Sequence, residues 1–134
     1  MFAGLMCIHY IADFLLQPRE MGKRKSSEPK WLAGHLLIQF LCFLPFTGWK
    51  FALANCVVHG IIDWNIWKGY KWSAYYRIKK DTDGMGWTPE IIQEHIEAKG
   101  KQWEYWEDHL FYATIGLDQL LHCLTIYYLA GLFL

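Results

Sequence analysis

The sequence carries no surplus charge of either sign. Its 13 Lys and Arg oppose 13 Asp and Glu, giving a formal net charge of +0 and an isoelectric point near 7.0. No basic face for nucleic acid is indicated. Paired-cysteine motifs are also missing. Cys7, Cys42, Cys56 and Cys123 each lie in an apolar stretch and none forms a CxxC pair. That excludes a zinc knuckle or a thiol redox motif and predicts four small buried hydrophobes. The first apolar run has no basic segment ahead of it and contains Asp13, so no cleavable signal peptide is expected. No repeat is long enough for a solenoid, although His-x-x-x-Asp occurs twice.

Polar side chains are scarce where hydrophobic ones concentrate. Hydrophobic residues make up 54% of the 134 residues and aromatics 18%, yet the mean hydropathy is only +0.05. The average hides segregation, because nearly all charges lie in 18–30 and 68–108. Between and around them are four apolar stretches, at 2–17, 31–49, 51–67 and 109–134. A membrane-crossing helix needs roughly 17–25 apolar residues. The second and third stretches fit, the fourth has room to tilt, and the first is short enough to begin at the membrane surface. A water-soluble four-helix bundle needs a polar face on each helix. Residues 32–48 offer only His35, Gln39 and Thr47 for one, and 120–134 offer only His122, Thr125 and two tyrosines. The expected fold is therefore a single all-α domain over 1–134, a four-helix transmembrane bundle.

The connections set its orientation. The first holds Arg19, Lys23, Arg24, Lys25 and Lys30, and the third holds Lys68, Lys71, Arg77, Lys79, Lys80, Lys99 and Lys101. The second has only Lys50. The positive-inside rule then puts the first and third connections in the cytoplasm and both termini on the other side. Trp31, Trp49, Trp67 and Trp106 fall near helix ends, as in an interfacial belt. The third connection, 68–108, is about 40 residues long and predicts short helices of its own. Within it, 71–80 reads as a segment lying on the membrane surface. DTDGMG at 81–86 reads as a turn that lacks the ligands of a calcium loop. Thr88, Pro89 and Glu90 read as a helix start. Pro45 is expected to kink or end the second helix. Gly34, Gly60 and Gly116 are expected to let helices approach closely.

Seven residues carry the chemistry: His9 and Asp13, His35, His59 and Asp63, and Asp118 and His122. Three pairs among them have i,i+4 spacing, which puts both members on one helix face. At about 1.5 Å of rise per residue, counted from 17, 31, 67 and 109, Asp13, His35 and Asp63 lie about 6 Å deep. His9 and His59 lie about 12 Å deep, Asp118 about 13 Å and His122 about 20 Å. All fall in one half of the membrane although chain direction alternates. An intramembrane Asp costs about 2.5–3.5 kcal/mol, so such residues face the interior and mark function. Mixed imidazole and carboxylate ligands suit zinc first, then manganese or iron. Seven candidates exceed one four-ligand zinc site, so one or two ions are expected, with any spare residues supporting or catalytic. The plainer reading is interhelical polar packing. Gln17 and Gln119 flank the set as supporting donors. His95 reads as a solvated surface residue, and Asp108 with His109 as a helix-capping pair.

This pattern, His9-x-x-x-Asp13-Phe-Leu-Leu-Gln17, a basic loop, His35, His59-x-x-x-Asp63 and Asp118-Gln119-x-x-His122, resembles a bacterial and phage membrane family known as domain of unknown function 3307. It is similar, more distantly, to small membrane-bound metal-dependent hydrolases with HxxxD motifs. The resemblance implies a bacterial inner membrane and a whole-chain match. One departure is Ile66, where a Lys is expected three residues after the second HxxxD motif; Lys68 is the nearest basic residue.

The function expected from these features is metal-dependent hydrolysis of a lipid or phosphoester at the membrane. Asp13 or Asp63 would be the base, and Lys23, Arg24 and Lys68 would hold an anionic head group unless they serve only as topology signals. The alternatives are an ion or proton transporter subunit, for which intramembrane Asp and His are also suited, or a structural metal or haem protein in a phage or bacterial assembly. The expected partner is the lipid bilayer, with homo-oligomerisation open.

Overall fold

The computed structural model of the chain describes residues 1–81, 86, 88, 90, 91, 94 and 109–134. Every regular element among the described residues is helical. Helix α1 spans Phe2–Tyr10 and passes into a π-helical turn, Ile11–Leu15. Helix α2 is short, Arg19–Arg24, α3 is long, Pro29–Asp81, and α4 spans His109–Phe133. The expected turn at 81–86 falls largely outside the described residues, as do Pro89, His95, Trp106 and Asp108. Thr88 does accept a hydrogen bond from the Ile91 amide at 3.4 Å, which is the cap read from the sequence. Its own amide and then the Thr88 hydroxyl hold the exposed Glu90 carboxyl below its ordinary pKa.

Helix α3 is two arms, 29–47 and 49–81, joined at Gly48, where φ is 76° and ψ is 169°. Only glycine adopts that backbone region without strain. The helix runs through Pro45 without ending, contrary to the expectation for that residue, and the chain reverses at Gly48, in the connection read from the sequence. The arms then fold back on each other. Phe43 meets Phe51 with ring centroids 5.5 Å apart, Cys56 Sγ donates to the Leu36 carbonyl at 3.2 Å, and His35 meets His59. A Cβ at Gly60 would lie 2.9 Å from Leu36 Cδ1, so glycine permits this approach. Gly116 faces open space and needs no such explanation.

The second arm does not stop at Trp67. It continues as helix to Asp81, where the sequence reading placed a separate surface segment. The i,i+4 pairs account for this. The Lys68 ammonium lies 3.7 Å over the Trp64 ring, and Trp72 stacks on Tyr76. Helix α4 packs along this arm, with Phe111 against Trp67 and Tyr70 at centroid distances of 5.7 and 6.2 Å.

Burial follows helical spacing, but its polarity is inverted. His35, Gln39 and Phe43 are buried on the first arm, Ala52, Cys56, His59 and Asp63 on the second, and Asp118, His122, Ile126 and Ala130 on α4. Leu37, Leu41, Leu53, Val57, Ile61, Leu120 and Leu124 face outward and are exposed. Of the cysteines only Cys56 is buried. Cys7 is exposed and the other two are half-buried, because they sit on the outward apolar faces. Among the described residues, two helices are long and apolar enough to cross a membrane, Pro29–Ala74 and His109–Phe133, and Phe2–Leu15 is a shorter apolar helix.

Gly48→Ala forces a side chain into a glycine-only conformation and should destabilise the protein by about 1–3 kcal/mol. Gly116→Ala, with nothing near its Cβ, should be close to neutral. Unfolding of both variants in detergent is the measurement. Equal effects would mean that the turn does not depend on Gly48.

Candidate metal centre

The first HxxxD pair straddles the change from α-helix to π-helix. The Leu16 amide donates to the Ile11 carbonyl at 2.9 Å, five residues back, which widens the turn. Ala12 and Asp13 are consequently both buried. Turns of this kind recur at functional sites. His9 lies one turn earlier, its Nε2 3.8 Å from Asp13 Oδ2. On the second arm of α3 the other HxxxD pair closes to 3.2 Å, and on α4 His122 lies 3.5 Å from Asp118. All three pairs read from the sequence therefore face one interior.

Four atoms from three segments converge most tightly. His35 Nε2 lies 2.9 Å from His59 Nε2, 3.0 Å from Asp13 Oδ1 and 3.2 Å from Asp63 Oδ2. His59 Nε2 lies 3.4 Å from Asp13 Oδ1 and 3.2 Å from Asp63 Oδ2. A single imidazole nitrogen offers one proton or one lone pair. It cannot satisfy three such neighbours by hydrogen bonding. Ligands about 2.0–2.1 Å from a tetrahedral zinc ion would stand about 3.3–3.4 Å apart. The measured separations lie close to that, slightly contracted, so these residues could hold a divalent ion.

A second group adjoins the first through the same carboxylates. Asp63 turns Oδ2 to His35 and His59 and Oδ1 to His122, 3.7 Å away. Asp13 turns Oδ2 to His9 and to Gln119. Asp13, Asp118 and His122 form a further grouping that could hold an ion, as do His9, Asp13 and His59. The His59 and His122 rings stack at 3.9 Å, with His9 against both. His122 thus reaches the level of His59, although counting from residue 109 made it deeper. Phe111 is level with Trp67 and Tyr70, so α4 joins the bundle later than that count assumed.

Supporting residues are partly those expected. Gln119 Nε2 donates to Asp13 at 3.3 Å and to Asp118 at 3.1 Å, and its carbonyl lies 3.3 Å from His9 Nε2. Gln17 does not reach the cluster and packs beside Gly22 of α2. Lys23 and Arg24 lie on exposed α2, paired with Glu20 and, for Arg24, Glu28. Lys68 is taken up by Trp64. None of the three is brought to the His/Asp cluster. His109 is exposed at the start of α4.

Two residues missing from the sequence reading stand in the site. Gln39 donates to Asp13 Oδ1 at 2.9 Å. Its spacing of four from His35 repeats the rule that found the other pairs, so the signal was there. Lys25, the residue after α2, is buried, with Nζ 3.0 Å from Asp63 Oδ2, 3.4 Å from His35 Nε2 and 4.0 Å from Asp13 Oδ1. No spacing separates it from its four basic neighbours in the connection. The Nδ1 atoms of His9, His35, His59 and His122 make no hydrogen bond, so the polar contacts of His9, His35 and His59 run through Nε2 while the rings lie against one another.

Removing Asp63 would leave the Lys25 ammonium buried with its nearest carboxylate 4.0 Å away. In metal-free protein, Asp63→Ala should cost about 3–5 kcal/mol, as for one partner of a buried ion pair. Lys25→Met combined with Asp63→Leu should recover part of that loss. Strictly additive effects in unfolding experiments would show that the two groups are not coupled.

Comparison with known proteins finds no match among curated proteins and none among solved structures. One family model matches over residues 1–133, and the chain belongs to that family, described as a protein of unknown function (DUF3307).

Proposed function

We propose that the chain is a four-span membrane protein that binds a divalent ion between His35, His59, Asp13 and Asp63 and uses it to hydrolyse a lipid or phosphoester. The observation that carries this reading is the convergence of those four ligand atoms at 2.9–3.4 Å. Inversion of burial supports the membrane part: apolar side chains face outward and histidines and carboxylates face inward. The arms of α3 then count as two spans, and α1 with its π-helical turn and α4 supply the others. By the positive-inside rule, α2 faces the cytoplasm and the termini lie opposite, in a bacterial inner membrane.

A bound zinc or similar ion would lower the pKa of water to about 7 and supply a nucleophile at neutral pH. Asp13 and Asp63 each keep one oxygen turned away from the tightest group, so either can accept a proton there. Gln39 and Gln119 hold the Asp13 carboxylate in place. An open groove of about 460 Å³ lies between the second arm of α3 and α4, but none of the His and Asp residues of the cluster lines it, so it does not bear on the substrate. Transport is the weaker reading. Beyond the cluster the described part of the bundle is closed by Leu5, Phe43, Phe51 and Ile126, with Asn55 the one buried polar side chain between Phe51 and His59.

Purified protein grown with ample zinc and manganese should carry a bound ion, and His59→Ala and Asp63→Ala should lose it. Gln39→Leu should weaken metal affinity by about 10–100-fold, as loss of a supporting hydrogen bond does elsewhere. Release of head group from phospholipid vesicles should stop with a chelator and resume with added metal. Wild-type protein free of metal would end this reading. Bound metal with no metal-dependent release would leave a structural site in its place.

A further inference from the structure

Lys25 is the only lysine or arginine buried among the described residues. It reaches the site from the connection between α2 and α3, whereas every His and Asp there comes from an apolar helix. The local backbone sets its position. The Lys25 amide donates to the Met21 carbonyl at 2.9 Å, and the Ser27 and Glu28 amides donate to the Arg24 carbonyl at 2.9 and 2.8 Å. Met21 is itself buried, with its terminal carbon 3.2 Å from where a Cβ on Gly34 would lie. A glycine there lets α2 sit close to the bundle and aims Lys25 inward.

The ammonium and a divalent ion need the same atoms. Lys25 Nζ lies 3.0 Å from Asp63 Oδ2, 3.4 Å from His35 Nε2 and 4.0 Å from Asp13 Oδ1. These are three of the four atoms placed around the ion above. An ammonium has three N–H donors and no lone pair, so it competes for ligand atoms and cannot become a ligand itself. Two carboxylates face the group. A divalent ion neutralises them alone, and an ammonium left beside it would add surplus positive charge to a pocket in which His35 and Asp63 are fully enclosed. Like charges in such a place are little screened. In metal-free protein the need is reversed, because the carboxylates then depend on Lys25.

Lys25 is also the member of the cluster best able to leave. It hangs at the end of a six-residue helix whose Glu20, Lys23 and Arg24 are exposed, so water is one residue away. Its charge rides on a flexible four-carbon stem and is strongly hydrated once in water. The ammonium can therefore swing out while the ligand-bearing helices stay in place.

We propose that Lys25 is a tethered occupant of the metal position: its ammonium holds the carboxylates together in metal-free protein, and a divalent ion binds at His35, His59, Asp13 and Asp63 by displacing it into solvent. This inference rests on the metal-binding reading above, and it makes metal uptake a switch in the connection between α2 and α3.

The test follows Lys25 in detergent-purified wild-type protein with a water-soluble amine-acylating reagent, read peptide by peptide by mass spectrometry. Without metal, exposed Lys23 should be modified and Lys25 largely spared. Zinc should raise modification of Lys25 toward that of Lys23, whose own rate stays constant. In His59→Ala, zinc should leave Lys25 protected. Zinc titration against a competing chelator is the second readout. Lys25→Met and Lys25→Gln should bind zinc about tenfold more tightly or better, because a competing occupant lowers apparent affinity by the fraction of protein it leaves competent. Lys25→Arg keeps the charge and should gain nothing. Zinc bound with Lys25 still protected, or uncharged variants that bind no more tightly than wild type, overturns the displacement and leaves the metal site standing. The labelling arm uses wild-type protein, so it decides even where a variant fails to fold. No zinc bound by wild type overturns the metal reading itself.

Discussion

Three carboxylates buried among apolar helices must be compensated where they stand. Burial takes bulk water away from them, and an unpaired carboxylate in such surroundings is among the most costly groups a fold can contain. Much of the arrangement follows from this one constraint. Asp13 is met by Gln39, His35, Gln119 and Lys25, Asp63 by Lys25 and three histidines, and Asp118 by Gln119 and His122. Asp13 and Asp63 draw their partners from α3, from α4 and from the connection after α2, whereas Asp118 is met within its own helix. The far end of the bundle carries no such demand, and there Leu5, Phe43, Phe51, Ile126 and Ala130 pack as an ordinary apolar core.

Compensation depends on register, and register depends on Gly48. The reversal places residue 43 beside 51 and residue 35 beside 59. A slip of one residue on either arm would turn a side chain by about 100° around the helix. His35 would then leave His59, Asp13 and Asp63 together. A conformation open only to glycine thus sets the spacing of the polar site from about three helical turns away.

Much of the site was legible because helical spacing is a strict rule. The pairs His9/Asp13, His59/Asp63 and Asp118/His122 lie on inward faces, as i,i+4 spacing requires. The same rule covers His35/Gln39, where a good hydrogen-bond donor stands four residues from the imidazole. Lys25 was not legible. Nothing in a run of five basic residues says which one a short helix and a glycine contact will turn inward. Nor was the widened turn before Gln17, since no residue type marks a π-helix as proline marks a kink. Lys23, Arg24 and Lys68 drew attention by charge, yet each has a neighbour in its own helix that occupies it. In the fold, the helical segments followed from hydropathy. The run of helix past Trp67 did not, because aromatic–cation pairs sustain a helix that hydropathy ends.

The recurrence of His-x-x-x-Asp gains a physical meaning in this arrangement. Asp13 and Asp63 occupy equivalent positions: each gives one oxygen to the His35–His59 group and turns the other toward groups that pack with α4. They join the two halves of the cluster. A carboxylate that serves two groups at once cannot be tuned for one of them alone, because moving it toward one withdraws it from the other. Energetic effects within the cluster are therefore expected to be non-additive, as for other networks of shared partners. Each half holds two imidazoles, His35 and His59 in one and His9 and His122 in the other, and it is on the His35 side that Lys25 arrives. That asymmetry sets a positive charge against the His35–His59 group, where it meets the same carboxylate oxygens that face both imidazoles.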